Sequence, residues 1–440
     1  MKKIFASIGV VALGAASVQA NSAAGLASGG DNAKFYSVQA TLRGFYDDNY
    51  ATSSDASGDK HGSFGFSVIP SIAFKFPMDQ TTLGFRYTYS ANWYEDRSRL
   101  SSTNNAWDQS HEFEAMLSHS FNERFSVDVM DSFVVSQEPG LIDASGVTTF
   151  PYRTDSDNIR NHGEINFNGT LTRQLSFVLG YQNTYYDYSN KGDGVDVNDA
   201  LEPSLSGLLD RMEHEALVNL RWQALPRTVL IGGYNYRQVD YSSDEAVALT
   251  TSGFRYADSR NNHSHIIYGG IDQNFSKELL LTVRLGAQML DTVNALPSDP
   301  NKETTSPWGS LNLTYMYRPG SSLQLGFRHS RNQTDVISPV FVNDSITVDQ
   351  QTSVLYGNIT HRLSPKLTGR LTGMWQNSEF FGGAVDGQSE QFFDLGVNFS
   401  YRFNNHFSGE AGYNFSHLTS DITGRDYDRN RVYLGVTAVY

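Results

Sequence analysis

Alternation of apolar and polar residues constrains the fold of this chain more than any other feature. In Phe392–Phe403, FFDLGVNFSYRF, every odd position carries an apolar or aromatic side chain, whereas the even positions include Asp394, Asn398 and Arg402. Successive side chains of a β-strand point to opposite faces, so this segment would present one apolar and one polar face. The segments 83–94 and 311–318 alternate in the same way. The pattern therefore predicts strands with one face suited to hydrocarbon and one suited to water.

A soluble β-sandwich also alternates, and composition helps to decide between it and a transmembrane barrel. The chain contains 27 Phe, 24 Tyr and 5 Trp. The aromatic residues dominate the ends of the apolar faces, where the interfaces of a bilayer would lie. The mean hydropathy is −0.40, and no segment after the N-terminus has about 18 consecutive apolar residues, which excludes a transmembrane helix. The sequence thus predicts an all-β, antiparallel up-and-down transmembrane β-barrel.

The connections between the alternating segments are of two kinds. Eight short turns recur every 35 to 55 residues or so, and each pair is separated by one long polar stretch. Their sequences are FPMDQT, FNERF, TRQL, LPRT, FSKEL, RPGSS, LSPKL and FNNHF. Short periplasmic turns and long extracellular loops are typical of outer-membrane barrels. Two strands per repeat give eighteen strands between Phe35 and Tyr440, with sixteen as the alternative count.

The N-terminus predicts export. Lys2 and Lys3 precede a short apolar run, and Val18-Gln19-Ala20 offers small residues for cleavage, so residues 1–20 are predicted to be a signal peptide. A membrane anchor is the alternative, but the apolar run is too short to cross a bilayer. Residues 21–34 are predicted to be a short periplasmic segment, too small for a plug domain, and residues 35–440 the outer-membrane barrel. The predicted location is therefore the outer membrane.

Charge and cysteine content exclude several classes of function. The net charge of −14 argues against nucleic acid as a partner. The absence of cysteine excludes disulfides, thiolate chemistry and cysteine-ligated metals. Ser118 and His119 are adjacent and would point to opposite faces, and no other arrangement indicates a hydrolase, so no enzyme activity is predicted. We predict no cofactor and no metal site.

Charged residues on the polar phase are predicted to face the lumen. The acidic residues on proposed strands 4 to 6 are Glu112, Glu114, Asp128 and Glu164. The basic residues on proposed strands 13 to 16 are Arg328, Arg362, Arg370 and Arg402. In a ring of eighteen strands these two groups would face each other, and the resulting transverse field would select solutes by charge. The alternative is that each charge pairs with a neighbour on its own side of the wall. Asp131 lies on the apolar phase, which predicts a bulge or an interfacial position there.

Aromatic residues on the polar phase have two interpretations. Tyr94, Tyr186, Tyr268 and Tyr356 would face the lumen and could stack on sugar rings. The alternative is that they fill gaps beneath loops folded into the barrel.

The chain ends on an apolar strand, YLGVTAVY. Tyr440 would close the sheet against the first strand, since an open edge is not tolerated in lipid. Tyr433, Gly435, Ala438 and Tyr440 match the terminal insertion signal of outer-membrane barrels. This signal implies two partners, the barrel-assembly machinery and outer-membrane lipid.

The hairpin repeat, the YLGVTAVY terminus and the lack of a plug together resemble the putative β-barrel porin 2 family. The resemblance implies an outer-membrane channel for hydrophilic solutes, associated with exopolysaccharide secretion beside a periplasmic polysaccharide-export protein. From the residues, a diffusion porin and a surface-exposed adhesin whose loops bind a partner remain alternatives.

Overall fold

The computed structural model describes residues 35–56, 58, 60–100, 106–136, 158–189, 203–251, 253–296, 302–337 and 345–440. Eighteen antiparallel strands form one closed sheet, and a separate two-stranded sheet lies in one loop. The predicted fold class and the count of eighteen are confirmed, and the alternative count of sixteen is wrong. The predicted signal peptide and periplasmic segment, residues 1–34, lie outside the described residues.

The strands have the following bounds. Those of the first half of the barrel are β1 (Tyr36–Asp47), β2 (Ser63–Pro77), β3 (Thr81–Tyr94), β4 (Trp107–Ser120), β5 (Phe125–Ser136), β6 (Asn158–Thr170), β7 (Leu175–Tyr188), β8 (Arg211–Leu225) and β9 (Thr228–Tyr241). The hairpin in the following loop is β10 (Ala246–Thr250) and β11 (Gly253–Tyr256). The second half consists of β12 (Asn262–Asn274), β13 (Leu279–Thr292), β14 (Glu303–Arg318), β15 (Ser321–Asn332), β16 (Asp349–Arg362), β17 (Leu367–Phe381), β18 (Ser389–Arg402), β19 (Phe407–Ser420) and β20 (Tyr427–Val439).

In the part of the chain that the structure describes, helical structure is confined to short segments between strands. These are α1 (Glu95–Leu100), α2 (Leu205–Leu209) and two 3-10 turns, Ala257–Arg260 and Gly383–Val385. Among the described residues, no helix is long and apolar enough to cross a membrane.

The first and last strands close the cylinder. β1 pairs with β20 from Gln39↔Val439 to Asp47↔Arg431. The backbone N–H of Tyr440 donates to the carbonyl of Val38 at 2.8 Å, and the N–H of Val38 donates to the carbonyl of Tyr440 at 3.0 Å. Each barrel strand thus has a partner on both sides, which satisfies the backbone groups that lipid cannot.

The alternation in sequence appears as two faces of the wall. Outward residues such as Leu434 and Leu285 are 70% and 66% exposed, as lipid contact requires. Inward residues of the same strands are polar and well covered, for example Gln288 on β13. The physical reason is that an apolar residue facing lipid costs nothing, whereas a charge there is destabilising.

Asp131 is the exception. Of the bulge and the interfacial position predicted there, the bulge is wrong. The register runs without a shift through Ala115↔Asp131 and Asp131↔Gly163, so Asp131 stays on the outward face with Val129 and Phe133. The side-chain amide of Asn161 donates to both carboxylate oxygens, at 3.3 and 3.2 Å. A hydrogen bond from a neighbouring strand, rather than a change of register, compensates the outward carboxylate.

Replacing Asp131 by Val is expected to stabilise the barrel by about 1–2 kcal/mol, because a carboxylate leaves the lipid-facing surface. Urea unfolding of the protein in lipid vesicles would measure the change. The matched control is Asp128→Val, which places the same substitution on the lumen face of the same strand and removes hydrogen bonds to Ser118 and Asn168. A gain in both variants, or a loss in Asp131→Val, would contradict the assignment of Asp131 to the lipid face.

Loops at the long-loop end of the barrel fold into the lumen. We call residues 203–210, 242–251, 253–261 and 333–337 the cap. Cap residues Leu208, Leu209, Val247 and Ala257 form one buried cluster with Tyr186, Tyr188, Val239 and Tyr241 of the wall. The four wall residues lie on the inward faces of β7 and β9, so the cap sits inside the mouth of the barrel. It covers the inner wall at β7 and β9.

Candidate functional site

The lumen wall is the candidate site, and many of its arginines are matched with carboxylates. Seven inward arginines each lie within 3.2 Å of an Asp or Glu oxygen. They are Arg43, Arg86, Arg211, Arg221, Arg237, Arg284 and Arg429. Asp272, for example, bridges Arg221 at 2.9 Å and Arg284 at 2.6 Å. Most of these pairs link different strands, either adjacent ones or strands one apart, and so stiffen the wall.

The acidic residues predicted to face the lumen lie on β4, β5 and β6, on the inward phase. Glu114 pairs with Arg86 of the neighbouring strand at 3.2 Å. Asp128 accepts hydrogen bonds from Ser118 at 2.6 Å and from Asn168 at 2.8 Å, and Glu164 accepts one from Asn166. Within the described residues, Glu112, Asp128 and Glu164 form no salt bridge.

The predicted basic residues lie on β15 to β18, also on the inward phase. These are the thirteenth to sixteenth barrel strands, which face the fourth to seventh across a ring of eighteen. Within the described residues, none of Arg328, Arg362, Arg370 and Arg402 has a carboxylate within 4.0 Å. Eight charged residues were predicted to face the lumen. Among the described residues, only Glu114 of these eight pairs with a neighbour on its own side of the wall. A transverse field across the lumen stays a prediction.

The predicted lumen aromatics are covered by other groups. Tyr94 has no exposed surface and packs with Phe45 and Tyr50, and Tyr186 lies in the core of the cap. The hydroxyl of Tyr268 donates to Asn219 at 2.7 Å, and that of Tyr356 donates to Asn312 at 2.6 Å. This geometry favours the gap-filling interpretation over stacking on sugars, because Tyr94 and Tyr186 have no free ring face.

The residues of the predicted insertion signal lie on and just after β20. Tyr433 faces the lumen, with the guanidinium of Arg43 4.3 Å from its ring centroid and the amide of Asn398 donating to its hydroxyl at 3.0 Å. A Cβ at Gly435 would lie 2.9 Å from the Glu410 carboxylate, so glycine suits this close approach. Ala438 faces outward, and Tyr440 is 66% exposed. Their role as an insertion signal stays a prediction.

Arg260 holds the cap together, and sequence reasoning did not single it out. Its side chain is fully buried, and its guanidinium donates to the carbonyls of Leu208, at 3.0 Å, and Thr334. The guanidinium also lies 4.6 Å from the ring centroid of Tyr241. Burial lowers the pKa of Arg260 from its usual value. One signal was available in the sequence: the apolar run Ala246–Leu249 within an otherwise polar loop.

Among the residues that the structure describes, no group of three or more His, Cys, Asp or Glu could hold a metal ion.

The C-terminal strands of the barrel match a known protein family. Residues 347–440 match the family model of putative beta-barrel porin 2. The match spans β16 to β20 and confirms the resemblance to this family. The family's description names a β-barrel porin, in agreement with the closed barrel of this chain. No curated protein sequence matches the chain.

Solved structures to which the chain is similar include proteins from Pseudomonas aeruginosa and Acinetobacter baumannii. A variant of the ferric enterobactin receptor PfeA from Pseudomonas aeruginosa has 11% sequence identity and a TM-score of 0.45, with 92% of this chain and 80% of that chain covered. Acinetobacter baumannii OccAB4 has 12% identity and a TM-score of 0.43, with 92% and 99% covered. The siderophore receptor PirA from Pseudomonas aeruginosa has 15% identity and a TM-score of 0.38, with 92% and 80% covered.

Proposed function

We propose that this protein is a passive outer-membrane channel for hydrophilic solutes, and that its solute is a surface polysaccharide leaving the cell. The observation that carries the proposal is the contrast between the two faces of a closed wall. On β15, for example, the inward residues are Ser322, Gln324, Gly326, Arg328, Ser330 and Asn332. The outward residues Leu325 and Phe327 of the same strand are exposed for lipid.

Such a lumen suits a carbohydrate. Serine, threonine, asparagine and glutamine both donate and accept hydrogen bonds, as sugar hydroxyls do. A polysaccharide can therefore replace hydrogen bonds to water with hydrogen bonds to the wall as each sugar advances, and no large free-energy barrier opposes its passage. The resemblance to the porin family, with its association with exopolysaccharide secretion, supports export over uptake and implies a periplasmic polysaccharide-export protein as partner.

Reconstitution in planar bilayers tests this function. The purified barrel is expected to give stable ohmic conductance steps, because a hydrated lumen crosses the membrane. Liposomes containing the barrel are expected to release entrapped linear dextran faster than liposomes without protein, and to retain an entrapped globular protein of the same mass. Absence of both conductance and dextran release would overturn the channel. Conductance without dextran release would leave a diffusion porin for small solutes.

A surface-binding barrel is the second candidate, and the cap is the observation that favours it. Its buried clusters give the long-loop end a packed structure of its own. A barrel that serves only to display loops is expected to show no conductance, so the same bilayer experiment separates the two functions.

A further inference from the structure

The pairing of inward arginines with carboxylates is uneven along the lumen. Elsewhere on the wall, many inward arginines are matched with carboxylates, such as Arg429 with Asp47 at 2.6 Å. On the short-turn half of β14 to β18 the described residues show no such pair. This end of an outer-membrane barrel faces the periplasm.

Five basic residues and no acidic residue occupy this part of the barrel. Residues 314–326, 358–371 and 397–406 contain no Asp or Glu. The basic residues, which we call the arginine crescent, are Arg318, Arg362, Lys366, Arg370 and Arg402. All five are exposed, and Arg362, Arg370 and Arg402 lie on the inward phase of their strands. Sequence and structure thus place an uncompensated positive surface at the periplasmic mouth of a chain whose net charge is −14.

The crescent brings two guanidinium groups close together. Nη2 of Arg362 donates to the carbonyl of Pro365 at 3.3 Å, and Nη2 of Arg402 donates to the same oxygen at 3.2 Å. The two nitrogen atoms are therefore at most 3.3 + 3.2 = 6.5 Å apart. Arg370 lies diagonally across from Arg362, since Thr360 pairs with Arg370 and Arg362 pairs with Thr368. Like charges at this spacing repel, and an anion between them would relieve the repulsion.

We propose that the arginine crescent binds the carboxylate, phosphate or sulfate groups of an anionic polymer as it enters the lumen from the periplasm. This proposal rests on the channel function and adds the charge of the solute. Arginine presents a planar fork of N–H donors that matches an oxyanion in bidentate fashion. The exposed crescent leaves these donors accessible, whereas the paired arginines higher in the lumen have theirs occupied.

The orientation of the crescent selects a solute in the lumen over a lipid headgroup. Arg362, Arg370 and Arg402 share the inward phase with Tyr356, Met374 and Phe392, whereas Leu371 and Phe399 on the opposite phase are exposed for lipid. A lipid phosphate at the outer surface of the wall would meet the outward residues instead.

Binding of polygalacturonate, a linear polyuronate, tests the proposal. Fluorescence anisotropy would follow labelled polygalacturonate with the barrel held in phosphatidylcholine nanodiscs, which contain no anionic lipid. The triple variant Arg362→Gln, Arg370→Gln, Arg402→Gln is expected to bind about tenfold more weakly than the unmodified protein. Binding is also expected to weaken as salt rises, because charges near water are screened.

The matched control removes three positive charges from the same end of the barrel. Arg124, Arg173 and Arg227 lie in turns 121–124, 171–174 and 226–227 on the other side of the ring, and their triple Gln variant is expected to bind within about twofold of the unmodified protein. An equal loss in both triple variants, no binding by the unmodified protein, or equally strong binding of neutral dextran would overturn the proposal. Should the crescent triple variant fail to fold, Arg362→Gln and Arg402→Gln singly are each expected to weaken binding about threefold, and no change in either would count against it.

Current block separates this proposal from the channel function. In planar bilayers, polygalacturonate added to one chamber is expected to block the current of the unmodified protein from the periplasmic side only, and to lose this block in the crescent triple variant. A barrel that conducts but is not blocked is a channel without the anion site. A barrel that binds polygalacturonate in nanodiscs but does not conduct retains the site and loses the channel.

Discussion

Replacement of Arg260 by Ala is expected to raise the single-channel conductance about twofold or more, because the cap loses the side chain that joins its loops. Arg260 donates to the carbonyls of Leu208 and Thr334, which belong to two other segments of the cap. Removing the donor leaves two buried carbonyls unsatisfied, at about 1–3 kcal/mol each. The hydrophobic cluster around Val247 and Ala257 then has too little support to keep the loops inside the mouth.

The control for this prediction is Arg227→Ala at the opposite end of the barrel. Arg227 also donates to a backbone carbonyl, that of Phe275 at 3.0 Å, but it lies in a short turn and is exposed. Its variant is expected to conduct like the unmodified protein. Limited proteolysis would detect opening of the cap independently of current. Unchanged conductance together with unchanged protease resistance in Arg260→Ala would show that Arg260 does not hold the cap.

Replacement of Asp47 by Ala is expected to destabilise the barrel by about 3–5 kcal/mol, because it removes one member of a covered, hydrogen-bonded ion pair with Arg429. Asp47 has no exposed surface and receives Nε and Nη2 of Arg429 at 3.0 and 2.6 Å on Oδ2. The pair joins the first and last strands, so its loss weakens the seam that closes the cylinder. Urea unfolding in lipid vesicles, followed by tryptophan fluorescence, would measure the change.

Glu410→Ala supplies the comparison near the same seam. Glu410 pairs with Arg43 at 2.8 Å, and the two side chains are 18% and 26% exposed. Because water partly solvates this pair, its loss is expected to cost about 1 kcal/mol. Equal destabilisation by the two substitutions would contradict the argument that burial decides the cost.

Sequence patterns predicted the strands well and the contents of the lumen poorly. The alternation in Phe392–Phe403 corresponds to most of β18 (Ser389–Arg402), since the pattern is local and lipid imposes it on each strand separately. The same patterns could not show that Tyr186 lies beneath a cap. Its neighbours Leu208 and Val247 come from loops, which have no periodicity to interpret.

Strand pairing explains why the prediction and the structure differ at Asp131. The sequence showed a carboxylate on the apolar phase and predicted a bulge as one way to remove it from lipid. The structure keeps the phase and adds a hydrogen bond from Asn161, thirty residues along the chain. A compensating partner on a neighbouring strand depends on strand pairing, which the phase of a single strand does not specify.

By itself, the sequence determined that the chain forms a closed barrel with an apolar outside and a hydrated inside. A period of two residues is sufficient for this, because each strand must present one face to lipid and none may leave an edge unpaired. Only the tertiary structure decided which charges neutralise each other and which remain free. Arg43 finds Glu410 at a distance of 367 residues along the chain, whereas the arginines of the crescent meet no carboxylate in the described residues. These outcomes depend on which strands become neighbours and how their registers align, and a single strand carries no information about either.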